Sequence, residues 1–198
     1  MLRTIKPEIR IIGWDDSPFN FDDKETFLVG VVCRGGTQVD GLMSVKIRVD
    51  GLDVTEKIIQ SIKNSTHIYQ LRLIMLDGIT FGGFNIADIN EIRKETGLPV
   101  LVVIRDMPKM EAIRKSLERL DDSEKRWVLI KRAGPVHAVK VENKTIKRTR
   151  NVYYQCSGLS EKAAEKVIKL TSTHSIIPEP VRLAHIIASG LKGLRPCE

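Results

Sequence analysis

Through the first fifty positions, apolar and β-branched residues gather in short runs separated by turn-forming residues: 8–14 (EIRIIGW), 26–34 (TFLVGVVCR) and 42–49 (LMSVKIRV). Such runs predict strands, and the short links between them predict an antiparallel meander. At residue 53 the period changes. Val54, Ile58, Ile59 and Ile62 fall on one helical face, and Asp53 with Glu56 has the spacing of a capping box, so a helix of about three turns is expected. RLIML then reads as a short, wholly apolar strand. A glycine-rich loop, a helix near residues 86–96 and a second apolar strand, PVLVVI, follow it. This alternation implies a parallel pair joined by a helix.

Beyond Pro108, which suits a first helical turn, Met110, Ile113, Leu117 and Leu120 share a helical stripe. Segment 127–154 has strand composition broken at Gly134-Pro135 and Asn143-Lys144, which predicts a basic hairpin. Ser160 is placed to cap a helix that turns Ala163, Ala164, Val167 and Ile168 inward, and PEPVRLAHIIASGL supplies a last helix. The full order is three antiparallel strands, helix, strand, helix, strand, then further helices. That is the order of the RNase H-like architecture, a three-layer α/β fold with a mixed five-stranded sheet between helices. No repeat is visible, and one domain over residues 1–198 is expected.

Composition narrows the class. Of 198 residues, 42% are hydrophobic and 29% charged, as in an ordinary globular protein. No apolar stretch approaches the ~18 residues of a membrane span, and MLRTIKPEIR lacks the apolar core of a signal peptide, so a cytoplasmic protein without a membrane partner is expected. Cys33, Cys156 and Cys197 are widely separated and read as reduced thiols. Trp14 and Trp127 read as core. The net charge of +7 is concentrated: Lys125 to Arg150 carries nine basic residues against Glu142 alone, leaving the rest nearly neutral. A localised positive field attracts polyanions. It is equally compatible with a solvated hairpin face.

Three aspartates stand where apolar runs end: Asp15 in IIGWDD, Asp50 in VKIRVDG and Asp77 in RLIMLDG. In the architecture above, the ends of the first and fourth strands are parallel neighbours, so Asp15 and Asp77 are expected to converge, with Asp50 reaching the same crevice. Hard oxygen ligands suit Mg²⁺ or Mn²⁺, and such a site next to a basic groove suits phosphodiester hydrolysis. Singly, each aspartate is as well explained as a turn residue. The acidic run Asp22, Asp23 and Glu25 reads as solvated.

IIGWDDSPF, VDGLDVTEKI, LIMLDGITFGGFNIADI, GLPVLVVIRDMPK and IIPEPVRLAHIIASGL together resemble the endonuclease V superfamily, and more closely an uncharacterised, mostly archaeal family related to it. The resemblance implies a Mg²⁺-dependent enzyme that nicks DNA or RNA on the 3′ side of deaminated bases. It would put metal-binding, catalytic roles on Asp15, Asp50 and Asp77, with Asp16 a substitute or partner. Arg105 would face a phosphate. The strand-separating Pro-Tyr-Ile-Pro wedge of those enzymes is replaced by Asp40-Gly41-Leu42-Met43. Their base-pocket stretch is replaced by ITFGGFN, so Gly78, Phe81, Gly82 and Gly83 are the expected pocket residues. Their catalytic histidine aligns near Ser157, where this chain has none.

Two readings follow. One is a metal-dependent nuclease using Asp15, Asp50 and Asp77, with Arg105, Lys140, Lys144, Lys147, Arg148 and Arg150 holding nucleic acid. The other is a non-catalytic protein of the same fold that binds nucleic acid or another anion. Phe81 and Phe84 stack on a base or pack beneath their loop. Glu179, Arg182 and His185, on one helix, line the site's edge or face core or solvent. His67, His137 and His174 have no ligand-like spacing.

Overall fold

The computed structural model describes residues 4–20, 22–143 and 145–191. Lys144 and Cys197, both assigned roles above, lie outside them. The chain runs β1 (Arg10–Asp16), β2 (Glu25–Arg34), β3 (Gln38–Arg48), α1 (Val54–Lys63) and β4 (Leu73–Asp77). A two-strand hairpin, β5 (Thr80–Phe81) with β6 (Asn85–Ile86), leads to α2 (Ile89–Thr96) and β7 (Val100–Ile104). Then come α3 (Met110–Leu117), α4 (Ser123–Arg132), β8 (His137–Asn143), β9 (Arg148–Ser157), α5 (Glu161–Thr171) and α6 (Glu179–Leu191).

The main sheet has seven strands in the order β3-β2-β1-β4-β7-β9-β8. The five expected strands form its body: β1 to β3 are antiparallel, and β1, β4 and β7 are parallel neighbours. The basic hairpin adds the other two, because β9 pairs antiparallel with β7 and carries β8 with it. Helices cover both faces. Ile12, Trp14, Ile74, Leu76 and Val102 enter one core with α1 and α2, while Ile11, Leu73, Met75, Leu101 and Val103 enter the other with α5 and α6. Strict alternation along each central strand feeds both cores, which is why these strands read as continuous apolar runs.

Several boundaries differ from expectation for definite reasons. Residues 127–132 are helical, not strand. The run WVLI has no clear period, and it is fixed as helix by Arg126, which is buried and donates to the carbonyls of Gly51 (2.8 Å), Asp50 (2.7 Å) and Phe84. Trp127 is half-buried, not core, with the Arg114 guanidinium 5.2 Å from its ring centroid. Asp53 sits at the N-cap of α1 but makes no capping bond. Asn85 caps instead, its Oδ1 accepting from the Val54 N–H at 3.0 Å while its Nδ2 donates to Asp53 Oδ1 at 2.6 Å. α2 starts at Ile89, capped by Asp88, because Ile86 is taken by β6. α3 starts after Lys109, so Pro108 precedes the helix and Leu120 lies beyond its end. Ser160 caps α5 as expected, accepting from the Ala163 N–H at 3.3 Å.

Candidate metal centre

β1 and β4 pair with Ile11 beside Leu73 and Trp14 beside Leu76. One residue further, the same register sets Asp15 beside Asp77. Alternation puts both on the face of Ile11, Leu73 and Met75, where α5 and α6 pack. The two aspartates therefore converge as expected. α6 crosses directly beneath β1, so closely that a Cβ on Gly13 would stand 2.2 Å from the carbonyl carbon of Pro180. That approach brings His185, five residues along α6, to Asp15: Nδ1 lies 2.7 Å from Asp15 Oδ2. One ligand atom from each of Asp15, Asp77 and His185 falls within 4.8 Å of the others.

Electrostatics here oppose charge on Asp15. Burial raises its pKa most, and the neighbouring Asp77 and Asp16 carboxylates raise it further; the His185 contact only partly offsets them, so the group is pushed up to about 7. Burial likewise raises Asp16, against the hydrogen bond it accepts from the Gly82 N–H. Arg105 Nη2 donates to Asp77 Oδ2 at 2.7 Å, so one carboxylate leans on an imidazole and the other on a guanidinium.

Asp50 is not brought into this set. It occupies a left-handed turn (φ 50°), and its Oδ1 accepts from the Phe84 N–H at 2.8 Å. A Cβ on Gly83 (φ 85°) would stand 2.3 Å from that oxygen, so only glycine admits the contact. Asp16, one residue past Asp15 on the strand, points to the opposite face and holds Gly82. The two aspartates staple the glycine-rich loop from either side.

Of the expected pocket residues, Gly78 lines an apolar cavity to which Phe81, Gly82 and Gly83 do not contribute. It opens a space of about 510 Å³ walled by Ile79, Phe84, Ile104, Met107 and Ile130. Phe81 is fully buried in the α1/α2 core, so it packs beneath the loop and offers no face to a base. Gly82 and Gly83 are turned toward Asp16 and Asp50. Among the basic residues, Lys147, Arg148 and Arg150 gather with Arg105 around a second cavity. Lys140 is exposed on β8 between the buried Val139 and Val141, on the other face of the strand.

The histidine comes from α6 and not from the stretch around Ser157, whose hydroxyl donates to Asn90 Oδ1 at 2.8 Å. The signal for it lay in PEPVRLAH. Glu179, Arg182 and His185 follow one another at three-residue steps, and Arg182 is bound to the buried Glu179 through Nε at 2.8 Å and Nη2 at 2.7 Å. The site thus draws on β1, β4, β7 and α6. Two carboxylates and an imidazole at this spacing are a workable donor set for a divalent ion whose ligands lie ~2.1 Å from it. Among the described residues no helix is long and apolar enough to cross a membrane.

A family model described as Endonuclease dU matches residues 7–192. A UPF0215 protein of Methanopyrus kandleri is 46% identical over 190 residues, covering 96% of this chain and 94% of its own. Among solved structures, a protein of unknown function from Archaeoglobus fulgidus superposes with a TM-score of 0.80 at 36% identity, over 92% of this chain and 98% of that one. Endonuclease V of Ciona intestinalis, in complex with a 24mer DNA containing an inosine followed by a ribo-adenosine, superposes with a TM-score of 0.60 at 14% identity, over 89% of this chain and 82% of that one. At that identity the likeness is one of fold, and it is RNase H-like.

Proposed function

The chain belongs to the endonuclease dU family, an archaeal family related to endonuclease V, and from that premise we propose that it is a divalent-metal-dependent nuclease. The convergence of Asp15, Asp77 and His185 within 4.8 Å carries the proposal. These three residues would hold Mg²⁺ or Mn²⁺, and the imidazole favours Mn²⁺ over the harder ion. Once bound, the ion supplies a water of lowered pKa and neutralises charge on the scissile phosphate. Arg105, at the end of β7 and already 2.7 Å from Asp77, would turn its remaining N–H groups to a phosphate oxygen. Asp77 orients that guanidinium. Asp16 and Asp50 fix the loop that starts at Gly78, and thereby the wall of the apolar cavity. At about 510 Å³ this cavity is of a size to receive one base. Few polar groups line it, so it would select by shape more than by hydrogen bonds.

The family's description and the inosine-containing DNA bound by the Ciona enzyme define the substrates to try first. Single-stranded and duplex DNA and RNA, plain or carrying deoxyuridine or inosine, would be incubated with Mg²⁺ or Mn²⁺ beside an Asp77→Asn variant. Cleavage by the parent that disappears in the variant is the expected result. Cleavage that survives in Asp77→Asn would sink the proposed centre. One observation favours a second reading, a non-catalytic nucleic-acid- or anion-binding protein: Arg105 and His185 already occupy one oxygen of each carboxylate without an ion. Binding without cleavage on every substrate is its signature.

A further inference from the structure

Beside the metal centre lies a cleft of about 600 Å³ whose walls are cationic. β7 and β9 pair with Val103 opposite Tyr154 and Ile104 opposite Tyr153, so the register carries Arg105 to Val152. Val103, Val152 and Tyr154 all enter the α5/α6 core. Alternation then sets Arg148 and Arg150 on the same sheet face as Arg105, Asp77 and Asp15. Arg182 of α6 and the segment Ser175 to Ile177 form the opposing wall. Arg105 belongs both to the cleft and to the metal centre, so the two are continuous.

Five cations border this space: Arg105, Lys147, Arg148, Arg150 and Arg182. Three are tied to carboxylates, Arg105 to Asp77 at 2.7 Å, Arg150 to Asp106 at 2.5 Å and Arg182 to Glu179 at 2.7 Å. Lys147 and Arg148 form no ion pair among the described residues. The lining holds no aromatic ring, only Ile146, Val152, Ile176 and Ile177 among apolar groups, so no base can stack there. Guanidinium and ammonium groups recognise phosphate oxygens, and contacts of that kind carry no sequence information. The volume is that of a small-ligand site, room for a short piece of the backbone of one strand.

We propose that this cleft takes two consecutive phosphates of a single strand leaving the metal centre, with Lys147 and Arg148 as the principal contacts and no preference among bases. The inference rests on the nucleic-acid reading above and names the form of the substrate on one side of the cut.

It is tested by the anisotropy of labelled oligonucleotides of about twelve residues, within the range of single-strand site sizes. Oligothymidylate, a mixed-sequence strand and the matching duplex would be titrated in EDTA over a series of salt concentrations. Each phosphate contact to a single strand contributes about 0.7 to the slope of log K against log salt. The Lys147→Ala/Arg148→Ala double variant is therefore expected to flatten the slope by about 1.4 for both strands alike, and Lys94→Ala, on α2 across the sheet, to leave it unchanged. Both substituted side chains are exposed, and an unaltered melting curve shows the fold intact. An unchanged slope in the double variant overturns the proposal, as does failure of the parent to bind any strand. Equal loss on the duplex overturns the single-strand assignment, and loss on one sequence only overturns sequence independence. With metal absent, the outcome is separate from catalysis. A flattened slope in a protein that never cleaves would keep the cleft and discard the nuclease.

Discussion

Asp15 is a carboxyl group held where its charge is opposed by burial and by two neighbouring acids, and that opposition has a measurable consequence for stability. Its pKa rises from 3.8 to about 7 on folding. Between those values the folded chain keeps a proton that the unfolded chain has lost, so the contribution to stability is full below about pH 4 and is lost as pH rises through 7. Asp16, raised for the same leading reason, acts in the same direction. Asp40 acts in the opposite one: the Arg34 hydrogen bond, aided by Arg10, lowers its pKa to about 2, and its contribution disappears only as pH falls from 3.8 through 2. The two effects occupy separate windows. Urea denaturation in EDTA between pH 4.5 and 7.5 should thus show parent stability falling with pH, and Asp15→Asn should remove most of that fall and be the more stable protein at pH 7.5. Parallel pH profiles for the two would mean that Asp15 ionises as an ordinary carboxylate. Saturating Mn²⁺ should also suppress the fall in the parent, because a coordinating carboxylate must shed its proton.

At the scale of elements, two contacts position the site, and each can be broken by one substitution. α6 reaches Asp15 only because Gly13 lets it lie against β1; in Gly13→Ala the new methyl would meet Pro180 backbone at 2.2 to 2.3 Å. Backbone cannot yield as a flexible side chain does. A loss of about 1–3 kcal/mol in urea denaturation is expected, at the scale of core overpacking, together with loss of Mn²⁺ binding as His185 is carried away from Asp15. Full metal affinity in that variant would show that the close approach at Gly13 is not what brings His185 to Asp15. Asn85 is the second contact: fully buried, it caps α1 and bonds Arg48 O and Asp53 Oδ1. Asn85→Ala should cost about 2–3 kcal/mol, the scale of a lost cap plus an orphaned buried polar group, whereas Glu56→Ala should cost under 1 kcal/mol because the capping box is not formed. These cases also show what a sequence displays. Asp15 and Asp77 were legible because alternation and apolar runs are local, and a shared register follows from strand order. The position of Asp50 is not legible in the same way, because its partner, the Phe84 N–H, is 34 residues away on a loop without a period. Nothing local singles out His185, because its partner is 170 residues away. The helix at 127–132 read as strand because what fixes it is a buried arginine bonded to two distant loops.

Over the whole molecule, the three residues of the candidate metal centre lie on β1, β4 and α6, near the two ends and the middle of the chain. β1 and β4 are central strands of the seven, with apolar cores on both faces, so no partial opening at a sheet edge separates Asp15 from Asp77 while the rest stays folded. Metal affinity should therefore appear as global stability and not as local stiffening. A ligand at a hundred times its Kd that binds only the folded state adds about 2.7 kcal/mol. For a chain of this length that corresponds to a rise in Tm of about 5–10 °C. Calorimetry with Mn²⁺ at that excess should show one transition displaced upward as a whole, returning to its original place with EDTA, and Asp77→Asn should show no displacement. A shift of equal size in Asp77→Asn would locate the ion elsewhere. A second, unshifted transition would mean that β1, β4 and α6 do not unfold as one unit.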